Sequence, residues 1–205
     1  PAPATAQADS RNVSQAKLLV NRGYEHGQQG NYAASIVDYT SVVESYSADA
    51  DPAIRAQVAR ALVNRGYAHG QQGDYAAAIV DFTSVVERYS VDADPEMREV
   101  VADALYNRGH VNLLQGDHAA AIADFTLVVE RYSNDIDSAI RGQVAHALVY
   151  RGIAHGQQGD HAATIADSTS VVESYSADPD PAIRAVVAKS LLSRGSAHYR
   201  QGDYA

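Results

Sequence analysis

Arg22, Arg65, Arg108, Arg151 and Arg194 recur along the chain every 43 residues, and Asp38, Asp81, Asp124 and Asp167 follow the first four of them at a distance of sixteen. A guanidinium and a carboxylate pair through two parallel N–H···O bonds, so this spacing predicts a ladder of ion pairs, one per repeat. Chemistry repeated so regularly fits a structural role rather than a catalytic one. His26, His69, His155 and His198 keep the same register, with Asn112 in the third place. Zinc holds its ligand atoms at about 2.0–2.1 Å, whereas neighbouring helices pack about 8–10 Å apart. These imidazoles are therefore expected to pack between helices, and no metal or other cofactor is expected. Acid pairs ending at Asp51, Asp94, Asp137 and Asp180 lack the further oxygens and the glycine of a calcium loop, and are read as caps and solvated turns.

No nucleophile elbow is present, and there is no cysteine, so the usual constellations for covalent catalysis or thiolate metal binding are missing. The glycines Gly66, Gly70 and Gly73 fall within and at the end of a helical stretch, not after a strand, which rules out a phosphate-binding loop. The chain is not expected to be an enzyme. Asn12-Val13-Ser14 is a glycosylation sequon that matters only if the chain is exported.

Composition sets further bounds. A net charge of −9 disfavours nucleic acid and anionic membrane surfaces as partners. No apolar run approaches the ~18–20 residues of a membrane span. The opening PAPATAQADS, without Met and rich in Ala and Pro, resembles a mature end after signal-peptide removal. Export to a periplasmic or extracellular place is expected, with a cytoplasmic location as the alternative.

The elements that must position these residues follow from one unit, residues 51–93. Asp51-Pro52 is a helix start, with Asp as N-cap and Pro at the first position. Ile54, Val58, Leu62 and Gly66 then fall four apart on one helical face. Gly73 ends this helix, and Asp74 caps a second one in which Tyr75, Ala78, Ile79, Phe82, Val85, Val86 and Tyr89 form an apolar stripe. At Asp137-Ser138 the proline is missing, so a softer start is expected there. Each unit is thus an antiparallel helix hairpin that cannot bury its apolar face alone. Stacked hairpins can, and the expected fold is an all-α solenoid. The expected organisation is a lead segment over 1–15 and one array over 16–205, with units 16–58, 59–101, 102–144, 145–187 and a partial 188–205.

From Ala16 onward this pattern resembles the tetratricopeptide repeat. Gly66 sits where that family has its first-helix glycine. Gly73-Asp74-Tyr75 matches its inter-helix turn, Ala78 its small contact residue and Phe82 its second-helix aromatic; Gly109, Gly116, Asp117, Ala121 and Phe125 repeat the set. The period departs from the family's usual 34, and Thr164 and Ser168 replace the alanine and aromatic in the fourth unit, which is expected to pack less tightly. The resemblance implies a right-handed superhelix whose first-helix face lines a concave groove, with a peptide or protein as ligand and asparagines bonding its backbone. On that face lie Asn21 and Tyr24, Asn64 and Tyr67, Asn107 and His110, and Tyr150 and Ile153. The basic clamp by which some members hold a C-terminal carboxylate has no counterpart, because Val20, Val63, Tyr106 and Val149 occupy one of its places.

Positions shared by every unit serve the fold, while positions that differ are free to specify a partner. Near-identity between units favours a uniform surface. The alternative to an adaptor is a structural subunit of a self-assembling extracellular filament, associating head to tail through Leu191, Leu192, Tyr199 and Tyr204.

Overall fold

A computed structural model of the chain describes residues 4–92 and 94–202. Among the described residues it contains nine α-helices and no strand. They are α1 (Ala4–Gln28), α2 (Tyr32–Tyr46), α3 (Pro52–Gln71), α4 (Tyr75–Tyr89), α5 (Pro95–Leu114), α6 (His118–Tyr132), α7 (Ser138–Gln157), α8 (His161–Tyr175) and α9 (Pro181–Gln201).

The boundaries follow from capping chemistry. Asp51 Oδ1 accepts from the backbone N–H groups of Ala53 at 2.8 Å and Ile54 at 3.3 Å, satisfying donors that the first turn leaves open. At the far end of α3, Gly73 adopts φ +80°, which only glycine reaches without strain. That conformation lets Asp74 N–H donate to the His69 carbonyl at 2.9 Å, closing the helix. Asp74 then caps α4 through Ala77 N–H at 3.1 Å. One glycine and one aspartate therefore reverse the chain between the two helices of a hairpin.

Two expectations are corrected here. The lead segment over 1–15 is not separate: from Ala4 onward it belongs to α1. Beyond Pro3 the sequence holds Ala, Gln, Ser and Arg with no further proline or glycine until Gly23, so nothing stops the helix. The start of α7 shows no softening in its cap. Asp137 accepts from Ala139 N–H at 2.8 Å and Ile140 N–H at 3.3 Å, the same geometry as Asp51, because the cap depends on the aspartate and not on the proline.

The chain divides into two compact units, Pro1–Ala104 and Leu105–Ala205, with the boundary inside α5. One array over 16–205 was the expectation from sequence. The unit edges expected at 58/59, 101/102, 144/145 and 187/188 fall inside α3, α5, α7 and α9; the hairpins themselves begin at the capping aspartates.

In the first unit, α1 packs on α2 and α3, α2 on α3, and α3 on α4. Its core is built from Val42, Ile54, Val58, Leu62, Phe82 and Val85, all essentially inaccessible. Phe82 lies directly on Gly66, where an added Cβ would meet the ring at 2.8 Å. The helix-interior glycine is thus the seat for the aromatic of the facing helix. In the second unit, α6 packs on α7, and α7, α8 and α9 pack on one another. Leu105, Phe125, Val128, Ile140, Val144 and Val171 fill that core. The hairpin of α7 and α8 has no aromatic on its glycine: a Cβ at Gly152 would meet only Asp167 Cβ at 3.5 Å and the Thr164 backbone. Thr164 instead donates its hydroxyl to the Gly152 carbonyl at 2.8 Å, replacing apolar contact with a hydrogen bond.

Candidate functional site

Arg22, Arg65, Arg108 and Arg151 each bind the aspartate of their own hairpin with two nitrogens. Arg65 Nε and Nη2 donate to Asp81 at 2.9 and 2.7 Å, and Arg22 holds Asp38 in the same two-pronged way. In the second unit Arg108 reaches Asp124 and Arg151 reaches Asp167, each with a closest contact of 2.6 Å. The carboxylates are buried, so the pairs fix the relative height of the two helices. The remaining nitrogen extends the link to the preceding hairpin: Arg65 Nη1 donates to Thr40 at 3.0 Å, Arg151 Nη1 to Thr126 at 3.1 Å and Arg194 Nη1 to Thr169 at 3.4 Å. A second inter-hairpin tie joins the start of a first helix to the next turn, through Arg55–Asp92 and Arg141–Asp178, both at 3.2 Å. These threonines recur at the repeat period, a signal that sequence reasoning passed over, whereas the turn acids, expected as caps and solvated turns, are ion-paired at Asp92 and Asp178 to the preceding first helix.

Two places of the histidine register reach the same ladder, while His69 Nδ1 lies 3.9 Å from the capping Asp74. Asn112 Nδ2 donates to Asp124 at 3.2 Å, and His26 Nε2 lies 3.8 Å from Asp38. Among the described residues no group of three or more His, Asp or Glu is arranged to hold a metal. Among them, too, no helix is long and apolar enough to cross a membrane.

With the hairpins so fixed, the first-helix face of the first unit forms a cavity of about 310 Å³. Asn21 and Tyr24 of α1, Arg60 and Asn64 of α3, and Glu99 and Asp103 of α5 line it. Glu99 and Asp103 are four residues apart and so share one helical face. Burial first, and then the Glu99 charge, push the Asp103 carboxyl up to about 7. Arg60 is paired with Glu96 at 3.2 Å. Tyr24 and Asn64 also line a second cavity of about 240 Å³ with Tyr67, over the Tyr39 phenol. Burial raises that phenol to about 12, with Asp38 and Tyr24 adding to the shift and a hydrogen bond with Asn64 opposing it.

The corresponding residues of the second unit are built differently. Tyr150 does not stand out from the helix; its ring stacks on Phe125 at 6.1 Å and meets His110 edge-on at 5.2 Å and Tyr106 at 5.9 Å. His146 packs on Tyr106 at 6.1 Å. Burial lowers the pKa of both His110 and His146, the latter also feeling Lys189, so the cluster favours neutral imidazoles. Asn107 is half-buried, and Ile153 borders a smaller cavity of about 160 Å³ with Thr164, Ser196 and Arg200. Of the eight face residues, the four in the first unit thus present amides and phenols, while in the second His110 and Tyr150 join an aromatic cluster that leaves out Asn107 and Ile153, so the face is not a uniform strip.

Leu191 and Leu192 on α9 are 46% and 77% exposed, whereas Leu148 and Leu105, one and two periods before Leu191, are 5% and 0% exposed. Tyr199 is also exposed; Tyr204 lies outside the described residues.

Comparison with known proteins agrees with this architecture. The family model described as tetratricopeptide repeat matches residues 20–95 and 63–136, which together span more than half the chain. No curated protein matches the sequence. Among solved structures, a tetratricopeptide repeat protein from Parabacteroides merdae is similar in fold, with a TM-score of 0.62 at 13% identity, covering 93% of this chain and 75% of that one. Helix hairpins reversed at glycine, an aromatic seated on a first-helix glycine, and a family match across successive repeats leave one assignment: the chain belongs to the tetratricopeptide repeat family, whose repeats serve as protein-interaction scaffolds.

Proposed function

We propose that the chain is a non-enzymatic scaffold that holds an extended peptide segment of a partner protein against the first-helix face of its first unit. The observation that carries this reading is the cavity of about 310 Å³ lined by three successive first helices, α1, α3 and α5. Its amides offer donors and acceptors to a peptide backbone, and Tyr24 offers an exposed ring with two rotatable side-chain torsions, a low-entropy contact. The test is selection of peptides from a random displayed library on the intact protein. Peptides that bind, and that lose at least about tenfold in affinity on the exposed Asn21→Ala and Tyr24→Ala substitutions together, support the scaffold. Failure to select any, or binding indifferent to those substitutions, contradicts it.

A second reading, head-to-tail association into a filament, is favoured by α9. Leucines equivalent to buried core positions are exposed there, and a face of that kind gains from being covered by another hairpin. Light scattering over a concentration series tests it. Growth in mass that Leu192→Glu abolishes supports association, and a constant monomer mass rejects it.

A further inference from the structure

We infer that the first unit recognises a polyproline II segment, with prolines three residues apart seated on the rings of Tyr24 and Tyr67. The inference rests on the peptide-binding reading above and names the conformation and composition of the ligand. Its basis is the cavity of about 240 Å³ that those two tyrosines line together with Tyr32, Tyr39, Gln28 and Asn64. Among the described residues no charged side chain lines it, so a basic or acidic side chain entering it would lose water without gaining a counter-charge. Four phenols favour an apolar, flat-faced occupant instead. Tyr24 and Tyr67 are 57% and 51% exposed, and among the described residues neither ring stacks on another aromatic. In the second unit, by contrast, Tyr106 and Tyr150 are taken up by each other, with ring centroids 5.9 Å apart. Spacing decides which kind of segment fits. Tyr24 and Tyr67 stand one repeat apart on α1 and α3, which pack directly, and packed helix axes lie about 8–10 Å apart. Polyproline II returns the same face every three residues, a rise of about 9.3 Å. Same-face residues of an extended strand are only about 6.4–6.8 Å apart, and one turn of α-helix rises about 5.4 Å. A polyproline II backbone also has no internal hydrogen bonds, so its bare carbonyls can accept from the amides of Gln28 and Asn64. Its order before binding lowers the entropy lost on docking.

The probe is end-blocked decaproline carrying a fluorophore, titrated with the intact protein and followed by fluorescence anisotropy. Saturable binding is expected, weakened at least about fivefold by Tyr67→Ala and retained by Tyr67→Phe, which keeps the ring. Because Tyr67 is half-exposed, both variants should unfold at the temperature of the wild type. Peptides selected on the intact protein should carry two prolines three residues apart, and alanine at either one should weaken them by a similar factor. Selected peptides that bind through Asn21 and Tyr24 without such prolines overturn the inference while leaving the scaffold reading in place. So does decaproline that fails to bind beside selected peptides that do, or that binds Tyr67→Ala as well as the wild type. Binding of neither decaproline nor any selected peptide overturns both.

Discussion

The Arg65 guanidinium holds the Asp81 carboxylate through two bonds, Nε to Oδ2 at 2.9 Å and Nη2 to Oδ1 at 2.7 Å, and turns its third nitrogen to Thr40 of the preceding hairpin. One side chain thus sets helix height within a hairpin and register between hairpins. Lysine could not substitute, because a single ammonium lacks the planar fork. Both partners are largely buried, so removing Arg65 leaves a carboxylate in a poorly solvated place. Arg65→Ala should cost about 3–5 kcal/mol, with part of that loss recovered in the double variant with Asp81→Ala. Urea unfolding of the four proteins in the cycle measures the coupling, and additive losses would contradict the ladder.

The seat of the aromatic gives a contrast between two glycines. Gly66→Ala drives a methyl into the Phe82 ring, with an approach of 2.8 Å, and should destabilise by about 1–3 kcal/mol. Gly152→Ala meets nothing closer than 3.5 Å and gains helix propensity, so it should stabilise by about 0.5–1 kcal/mol. Thermal unfolding of both variants checks the sign, and the same sign in both would refute the argument.

The hairpin with Thr164 and Ser168 forgoes the buried ring that Phe82 supplies to α4. Loss of a buried aromatic costs about 3–5 kcal/mol where a cavity remains. Amide hydrogen exchange should therefore be faster over residues 161–176 than over 75–90. Equal protection would show that the threonine hydrogen bond to Gly152 compensates fully.

What could be read from the sequence was what repeats. The distance from Arg65 to Asp81, the turn at Gly73 and the caps at Asp51 and Asp74 recur in register, and the structure joins each as a local contact. Thr40 recurs too, but its partner lies 25 residues ahead in the next hairpin, a distance set by how hairpins stack. The Glu99–Asp103 pair occurs once, so periodicity is blind to it. Only the approach of α1 and α3 turns those acids into the wall of a cavity. Tyr150 stood on the first-helix face by register, yet its ring is drawn onto Phe125 and Tyr106, an outcome of side-chain packing rather than of spacing.

Asp103 also makes a pH prediction with a definite sign. Its carboxyl is raised from the ordinary 3.8 to about 7, so between those values the folded chain binds the proton more tightly than the unfolded chain. Stability attributable to Asp103 is therefore present below about pH 4 and falls as pH rises toward 7. His110 and His146 act in the opposite sense, because their lowered pKa values favour unfolding as pH falls through 6.5. The difference in unfolding free energy between wild type and Asp103→Asn isolates the carboxyl. That difference should shift steadily in favour of the Asn variant from pH 4 to 7, and a flat difference would contradict the buried, charge-strained acid.

The central claim is that ligand binds on the first-helix face between α1, α3 and α5. It is tested most directly by titrating isotopically labelled protein with a selected peptide and following the side-chain amide resonances of Asn21 and Asn64 by NMR. Saturable shifts are expected at those two amides and at the backbone of Glu99 and Asp103, with the exposed outer residues Val37 and Val80 of α2 and α4 unmoved. Shifts confined to α2 and α4, or to the exposed leucines of α9, would contradict it.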